Sequence, residues 1–141
     1  MLKVLLAVDG SETALRATEH VIKRVADAKS GYQVHLVNVQ HPLHGSVSTF
    51  IDSAQIKQYH HDEGMKVLLP AREKLDAAGI AYQAHLFVGD PAEVVTRFAK
   101  EQGCNEIIIG TRGLSGISSL LMGSVATKII HLAETPVVLV K

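Results

Sequence analysis

The chain is poor in the features that mark several specialised protein classes. Cys104 is the only cysteine among 141 residues, so no intrachain disulfide can form, which is consistent with a reducing compartment. Lysine plus arginine and aspartate plus glutamate number 14 each, and the formal net charge is zero. Because there is no basic excess, the composition argues against nucleic acid as a partner.

Long apolar runs are also missing. The N-terminal segment Met1–Leu6 is largely apolar, but Asp9 and Glu12 follow too soon for a secretion signal. No apolar run approaches the roughly 20 residues of a membrane-spanning helix. We therefore expect a cytoplasmic protein that makes no membrane contact. Hydrophobic residues make up 47% of the chain and charged residues 20%, a globular composition that predicts one domain over residues 1–141.

Short apolar runs alternate with helical patterns along the whole chain. The patterns predict strands at Val4–Val8, Val34–Val39, Tyr82–Val88, Glu106–Ile109 and Val137–Val140. They predict helices at about 12–28, at Ser53–Ala78, from Pro91 towards Gly103, and at Val125–Leu132. This alternation is typical of parallel βα units with right-handed crossovers, and so of one α/β domain.

Two prolines give sharper local predictions. Asp90, Pro91 and Glu93 form a strong helix start, with aspartate at the N-cap, proline at N1 and glutamate at N3. Pro70 lies inside the second helical pattern, where it removes a backbone donor and clashes with the preceding turn. We expect a kink at Pro70, with a true break as the alternative.

A glycine-spaced loop near the C-terminal end is the main functional signal. Gly110, Gly113, Gly123 and Ser124 lie between an apolar strand and a helical pattern. Glycines let backbone N–H groups approach an anion, and a helix N-terminus adds free donors and partial positive charge. If the strand before Asp9 and the strand before Gly110 are neighbours where the strand order reverses, both loops face one crevice. The loop therefore predicts a phosphate cradle.

Two familiar phosphate motifs do not match this loop. A P-loop requires lysine before its final serine or threonine, and Met122-Gly123-Ser124 lacks it. The dinucleotide fingerprint requires G-x-G-x-x-G after the first strand, where this chain has Asp9-Gly10-Ser11. Blander interpretations also exist: the glycines can form a surface turn, Ser124 can serve only as a helix cap, and Asp9 can be a loop residue.

The sequence resembles the nucleotide-binding branch of the universal stress protein family. The resemblance lies in Val8-Asp9-Gly10-Ser11 and in a G-x2-G-x9-G-[S/T] signature, here Gly110, Gly113, Gly123 and Ser124. It extends over essentially the whole chain. It implies an open five-stranded parallel sheet of order 3-2-1-4-5 with helices on both faces, like the adenine nucleotide alpha-hydrolase fold. It also implies a homodimer through the last strand, Val137–Val140.

The resemblance further implies an ATP site, carried over residue by residue. Gly110, Gly113, Gly123 and Ser124 would surround ribose and phosphates, Val125 would offer a helix-start N–H, and Arg112 would approach the phosphates. Ala7 and Val39 match positions near the adenine, Val39 through its backbone, although some relatives have proline where Ala7 stands. Asp9 would contact the nucleotide or a metal on its phosphates, and Mg²⁺ would relieve repulsion between carboxylate and triphosphate.

The function predicted from these residues is an ATP-binding regulatory or stress-response module with an unidentified protein partner. The sequence offers no general base or in-line nucleophile for phosphoryl transfer, so it favours binding over catalysis. Weak metal-dependent ATP hydrolysis, phosphotransfer including autophosphorylation, and a nucleotide-independent dimeric interaction protein remain the alternatives.

The histidines and Cys104 are expected to have no role in metal binding or catalysis. The eight histidines show no zinc-binding framework, and surface positions are expected for them. Cys104 is expected to be a buried or neutral thiol, since no partner base is identifiable.

Overall fold

The strands and helices alternate along the chain as the sequence predicts. A computed structural model describes residues 1–43, 51–112 and 122–141. Its elements are β1 (Leu2–Ala7), α1 (Glu12–Ala26), β2 (Tyr32–Gln40), α2 (Ser53–Ala77), β3 (Gln83–Val88), α3 (Pro91–Glu101), β4 (Glu106–Gly110), α4 (Ser124–Leu132) and β5 (Val137–Val140). Every predicted strand and helix therefore has a counterpart, with small differences at the ends.

The five strands form one parallel sheet of order β3-β2-β1-β4-β5, which confirms the expected order. β1 lies at its centre and pairs with β2 up to Ala7–Val37 and with β4 up to Ala7–Ile109. The chain leaves β1 towards β2 on one side, and β4 joins β1 on the other. The carboxyl ends of β1 and β4 therefore flank the point where the strand order reverses.

Helices cover both faces of the sheet because the strands are apolar on both sides. Val4 and Leu6 of β1 join a core beneath α1 and α2, whereas Leu5 joins a second core beneath α3 and α4. All three side chains are fully buried. Continuous apolar strands of this kind are typical of parallel sheets.

Three of the four described helices begin with a side-chain cap, at Ser11 for α1, Asp52 for α2 and Asp90 for α3. The predicted start of α3 is confirmed: Pro91 is its first residue, and Asp90 Oδ2 accepts a hydrogen bond of 3.0 Å from the Glu93 N–H. α4 differs, because its N-cap residue, Gly123, has no side chain with which to cap.

α2 runs without interruption from Ser53 to Ala77, so the alternative of a break at Pro70 is wrong. Pro70 lies on the exposed side of the helix, where water can bond the carbonyl that proline leaves without a donor. Among the helices of the described residues, none has the length and apolarity required to cross a bilayer.

Candidate functional site

A cleft of about 440 Å³ opens at the carboxyl end of the sheet, where the strand order reverses. Its wall includes Val8 and Asp9 after β1, the end of β2, the end of β4 and the start of α4. α2 contributes Glu63 and Val67 from the other side. A cleft of this size at this place in a parallel sheet is where α/β proteins bind small ligands.

The cleft brings together the residues that the sequence singled out over a separation of more than a hundred positions. Those that line it are Ala7, Asp9, Val39, Gly110, Arg112, Gly123, Ser124 and Val125. Gly113 lies outside the described residues. The topology thus assembles the first-strand loop and the glycine loop on one surface, as the adjacency of β1 and β4 requires.

Asp9 is held at the cleft wall by its own loop. Its Oδ1 accepts a hydrogen bond of 2.9 Å from the Ser11 N–H, and its side chain is exposed. Ser11 in turn caps α1 by accepting from the Ala14 N–H at 3.2 Å. Asp9 is therefore an oriented carboxylate at the cleft.

Gly110 is required for a reason that its spacing does not reveal. A Cβ on this residue would lie against the side chain of Thr13 and 2.7 Å from the Thr13 carbonyl carbon. Gly110 does not have a positive φ. Its lack of a side chain therefore permits close approach of β4 to the first turn of α1, in addition to any approach to a ligand.

The two ends of the glycine loop are tied together beside the cleft. The Thr111 N–H donates to the Val140 carbonyl at 2.9 Å, and the Gly123 N–H donates to the Thr111 carbonyl. Thr111 is 7% exposed, so this tie lies inside the protein. The chain therefore enters and leaves the loop at adjacent points, and the start of α4 is set next to the end of β4.

The N-terminus of α4 opens into the cleft. Gly123 is its N-cap residue, and no side chain caps the helix among the described residues. The interpretation of Ser124 as a cap is therefore wrong, because Ser124 is already the first helical residue. Ser124, Val125 and Ala126 line the cleft. Amide groups of a first helical turn have no intrahelical partner and carry partial positive charge, which suits an anion.

Val39 presents main-chain groups beyond the end of β1. The last β1–β2 pair is Ala7–Val37, where the Val37 carbonyl accepts from the Val8 N–H at 2.9 Å. The carbonyl of Val8, the residue after β1, accepts from the Asn38 side-chain amide at 2.9 Å. Since main-chain direction alternates along a strand, Val39 directs its N–H and C=O to the same side as Val37, into the cleft.

Several residues of the site were not anticipated. Asn38 is 3% exposed, and its amide group also accepts a hydrogen bond of 2.6 Å from Gln40. A polar residue within an apolar strand was the available signal. Glu63 and Thr13 carried no comparable signal, because their positions depend on how α2 and α1 pack against the sheet.

An ion pair joins the helices on one side of the cleft. Lys128 of α4 lies 3.1 Å from Asp90 Oδ2 and 3.6 Å from Glu93. The Glu93 N–H, followed by Lys128, lowers the pKa of Asp90, and the hydrogen bond to Asp90 raises the pKa of Lys128. The side chains are substantially exposed, so the pair fixes geometry more than it adds stability.

Two of the histidines that the structure describes are buried, contrary to the expectation of surface positions. His35 is 1% exposed beneath α3, and His60 is 7% exposed on α2. His35 Nδ1 lies 3.0 Å from His85 Nε2, while its own Nε2 has no partner among the described residues. Burial lowers the pKa of His35, with a smaller effect from His85, and burial also lowers that of His85. Strand pairing, which sequence periodicity does not specify, joins the two rings.

The remaining candidate reactive groups are the Cys104 thiol and any cluster of side chains that could bind a metal ion. Cys104 is buried, and burial raises the pKa of its thiol, which confirms the expected neutral cysteine. Within residues 1–43, 51–112 and 122–141, no three His, Cys, Asp or Glu side chains form a group that could hold a metal ion. A cation at this cleft would therefore need ligands beyond Asp9.

Known proteins are similar to this chain over essentially its whole length. The profile of the "Universal stress protein family" matches residues 1–141. Universal stress protein YxiE of Bacillus subtilis is 29% identical over 147 residues, which cover 99% of this chain and 98% of YxiE.

Solved structures agree with this match. The structure of MJ0577, from Methanocaldococcus jannaschii, superposes with a TM-score of 0.84 at 28% identity, covering 99% of this chain and 95% of the other. A universal stress protein of Archaeoglobus fulgidus in complex with dAMP has a TM-score of 0.73 at 25% identity, covering 100% and 98%. A further universal stress protein structure, a complex with cAMP, has a TM-score of 0.73 at 25% identity, covering 99% of this chain and 97% of the other. The chain therefore belongs to the universal stress protein family.

Proposed function

We propose that this protein binds an adenine nucleotide in the cleft, with ATP and Mg²⁺ as the pair it uses, and acts as a regulatory or stress-response module. The observation that carries the proposal is the N-terminus of α4, which opens into the cleft beside the glycine loop and has no side-chain cap from residues 1–43, 51–112 or 122–141. Two family members of similar structure are complexes with dAMP and cAMP, ligands that share an adenine and a phosphate.

The phosphates would lie at the glycine loop. The first-turn amides of α4 near Ser124 and Val125 would donate to phosphate oxygens, and Gly123 leaves room for them. Arg112 is exposed at the cleft and would pair with the phosphates. Gly110 and Gly113 would complete the cradle towards the ribose.

The adenine would lie at the other end of the cleft, against Ala7 and the end of β2. The Val39 C=O and N–H form an acceptor and donor pair, which matches the exocyclic amine and a ring nitrogen of adenine. A guanine would present a carbonyl to the Val39 carbonyl and would be disfavoured. This pairing gives the proposed preference for adenine a physical cause.

Mg²⁺ is compatible with the residues present if the nucleotide supplies most of the ligands. Asp9 offers one oriented carboxylate, and Mg²⁺ is commonly held by one or two carboxylates together with substrate phosphates and water. The ion would neutralise charge between Asp9 and the phosphates. Nucleotide binding should therefore depend on Mg²⁺ more strongly for ATP than for AMP.

The protein is also proposed to form a homodimer through β5. The carbonyl of Pro136 accepts from Ile107 of β4, and that of Val140 accepts from Thr111, which directly follows β4. The main-chain groups of Val137 and Leu139 therefore point to the outer edge. Leu139 is 36% exposed there. Pairing with a second copy would cover this edge. A cytoplasmic location and a single domain over residues 1–141 remain predictions from the sequence.

Calorimetric titration with ATP and Mg²⁺ tests the nucleotide site. The wild-type protein should bind saturably, and Gly123→Val should abolish binding by filling the cradle. Arg112→Met should weaken ATP about tenfold and leave adenosine unaffected, because only phosphate contacts are lost. Arg97→Met is the matched control, since Arg97 is exposed on α3 away from the cleft.

Failure of the wild-type protein to bind, with no adenine nucleotide found by mass spectrometry of the purified protein, would reject the proposal. That result would favour an interaction protein that does not use nucleotide. Phosphate release can be followed in the same samples. Metal-dependent release that is lost in Asp9→Ala would show hydrolysis in addition to binding.

A further inference from the structure

We propose that Thr13, in the first turn of α1, is a positioning residue of the nucleotide site. Its hydroxyl donates to the Arg112 carbonyl at 2.7 Å and accepts from the Arg112 N–H at 3.3 Å. A single side chain thus holds both main-chain groups of the residue that enters the glycine loop. This inference rests on the proposed function, because the loop is the part of the site assigned to the phosphates.

The two bonds lie in a protected environment. Thr13 is 5% exposed, and Gly110 packs against it so closely that a Cβ on Gly110 would lie 2.7 Å from the Thr13 carbonyl carbon. Both bonds are partly buried, so loss of the hydroxyl removes the described partner of two Arg112 main-chain groups at the entry to the loop. The hydroxyl therefore fixes the direction in which the chain leaves β4.

Thr13 also connects the two sides of the cleft. Its hydroxyl lies 3.4 Å from that of Ser11, whose N–H donates to Asp9. The carboxylate proposed to act with Mg²⁺ and the loop proposed to hold phosphates are therefore placed relative to each other through two hydroxyl groups. Nothing in this chain of contacts needs Thr13 to touch the nucleotide.

The consequence is that the two ends of the glycine loop are held in place before a ligand binds. The Thr111–Gly123 tie closes the loop at its base, and Thr13 holds the next residue, Arg112. Main-chain groups that are fixed in position before binding lose less conformational freedom when the ligand arrives, so affinity is higher. Removal of the hydroxyl should weaken binding without removing any ligand contact.

Thr13→Val tests this role, because valine keeps the shape of threonine and loses the hydroxyl. Thr18→Val is a matched control: Thr18 lies in the same helix, is fully buried, and its hydroxyl donates to the Ala14 carbonyl at 2.9 Å, away from the loop. Thr13→Ser retains the hydroxyl. Calorimetry with ATP and Mg²⁺ should give about tenfold weaker binding for Thr13→Val, and values within about twofold of wild type for Thr18→Val. Thr13→Ser should restore most of the affinity.

Amide exchange of the nucleotide-free protein by NMR provides the second readout. The Arg112 N–H should exchange about tenfold faster in Thr13→Val, and at the wild-type rate in Thr18→Val. Wild-type affinity in Thr13→Val, or equal weakening in Thr18→Val, would overturn the inference. If the wild-type protein binds no nucleotide, the proposed function fails. The exchange rate at Arg112 then still decides whether Thr13 anchors the loop, and an unchanged rate rejects the anchor.

Discussion

The contact between Gly110 and the first turn of α1 gives the sharpest test of the structure. Substitution of Gly110 by alanine adds one methyl group at a position where the nearest atoms are the side chain and main chain of Thr13. The Thr13 carbonyl carbon would be 2.7 Å from the new Cβ, well inside van der Waals contact. Main-chain atoms cannot rotate away, so β4 or the start of α1 must move.

The expected loss in the free energy of unfolding follows from the fact that the crowded neighbour includes main-chain atoms of Thr13. Overpacking of a close-packed interior by a methyl group destabilises proteins by about 1–3 kcal/mol. Gly110 does not have a positive φ, so alanine adds no backbone strain at this position. Alanine also has less conformational entropy than glycine in the unfolded chain, and this difference offsets part of the cost. We expect a net loss of about 1–2 kcal/mol in the free energy of unfolding and a Tm lower by about 3–7 °C.

Gly64→Ala is the matched control. Gly64 is also crowded, but its nearest atoms belong to the side chain of Leu86, which can change rotamer. Alanine in the helix also recovers about 1 kcal/mol of helix propensity. Chemical unfolding should therefore show Gly64→Ala within about 1 kcal/mol of wild type and clearly above Gly110→Ala.

The same variants should separate stability from binding. Displacement at Gly110 moves the entry to the glycine loop, so nucleotide affinity should fall in Gly110→Ala and stay near wild type in Gly64→Ala. The reasoning is refuted if Gly110→Ala unfolds at the wild-type temperature, or if both variants lose stability equally. Either result would mean that α1 and β4 are not in the contact described.

The remaining predictions concern α4, the sheet edge and the buried histidine pair. Ser124→Ala should weaken ATP binding, whereas Ser53→Ala, at the equivalent first position of α2, should not, as measured by calorimetry. Leu139→Pro should yield monomers by light scattering, because proline removes an outward N–H that β4 does not use. Stability in urea should fall as pH drops below about 6.5, because burial lowers the folded-state pKa of His35 and His85 while the unfolded chain takes up protons.

A specific result would contradict each of these three predictions. Equal loss of affinity in both serine variants would indicate a general effect on helix starts. A Leu139→Thr variant keeps the N–H and should remain dimeric; a monomeric Leu139→Thr, or a dimeric Leu139→Pro, would argue against pairing through β5. His85→Gln should reduce the pH dependence, and an unchanged pH profile would exclude this pair as its source.

Features that depend on local chemistry could be predicted from the amino-acid sequence. Periodicity located every strand and helix, and Asp90 with Pro91 marked the start of α3, because capping involves residues within one turn. The spacing of Gly110, Gly123 and Ser124 indicated a phosphate loop, since glycine and a helix start have the same chemistry in any fold. The strand order followed from family resemblance, and local patterns alone did not specify it.

Contacts between groups that are distant in sequence became visible in the folded structure. Adjacency of β1 and β4 brings Asp9 to the glycine loop, and the approach of α1 to β4 explains why Gly110 has no side chain. The burial of His35, like the anchoring role proposed for Thr13, involves partners many positions away. A residue's own neighbours in sequence do not encode such contacts, because they arise when helices and strands pack and exclude water. The glycines and Asp9 therefore predict a ligand site from the sequence, whereas the geometry of the cleft results from packing.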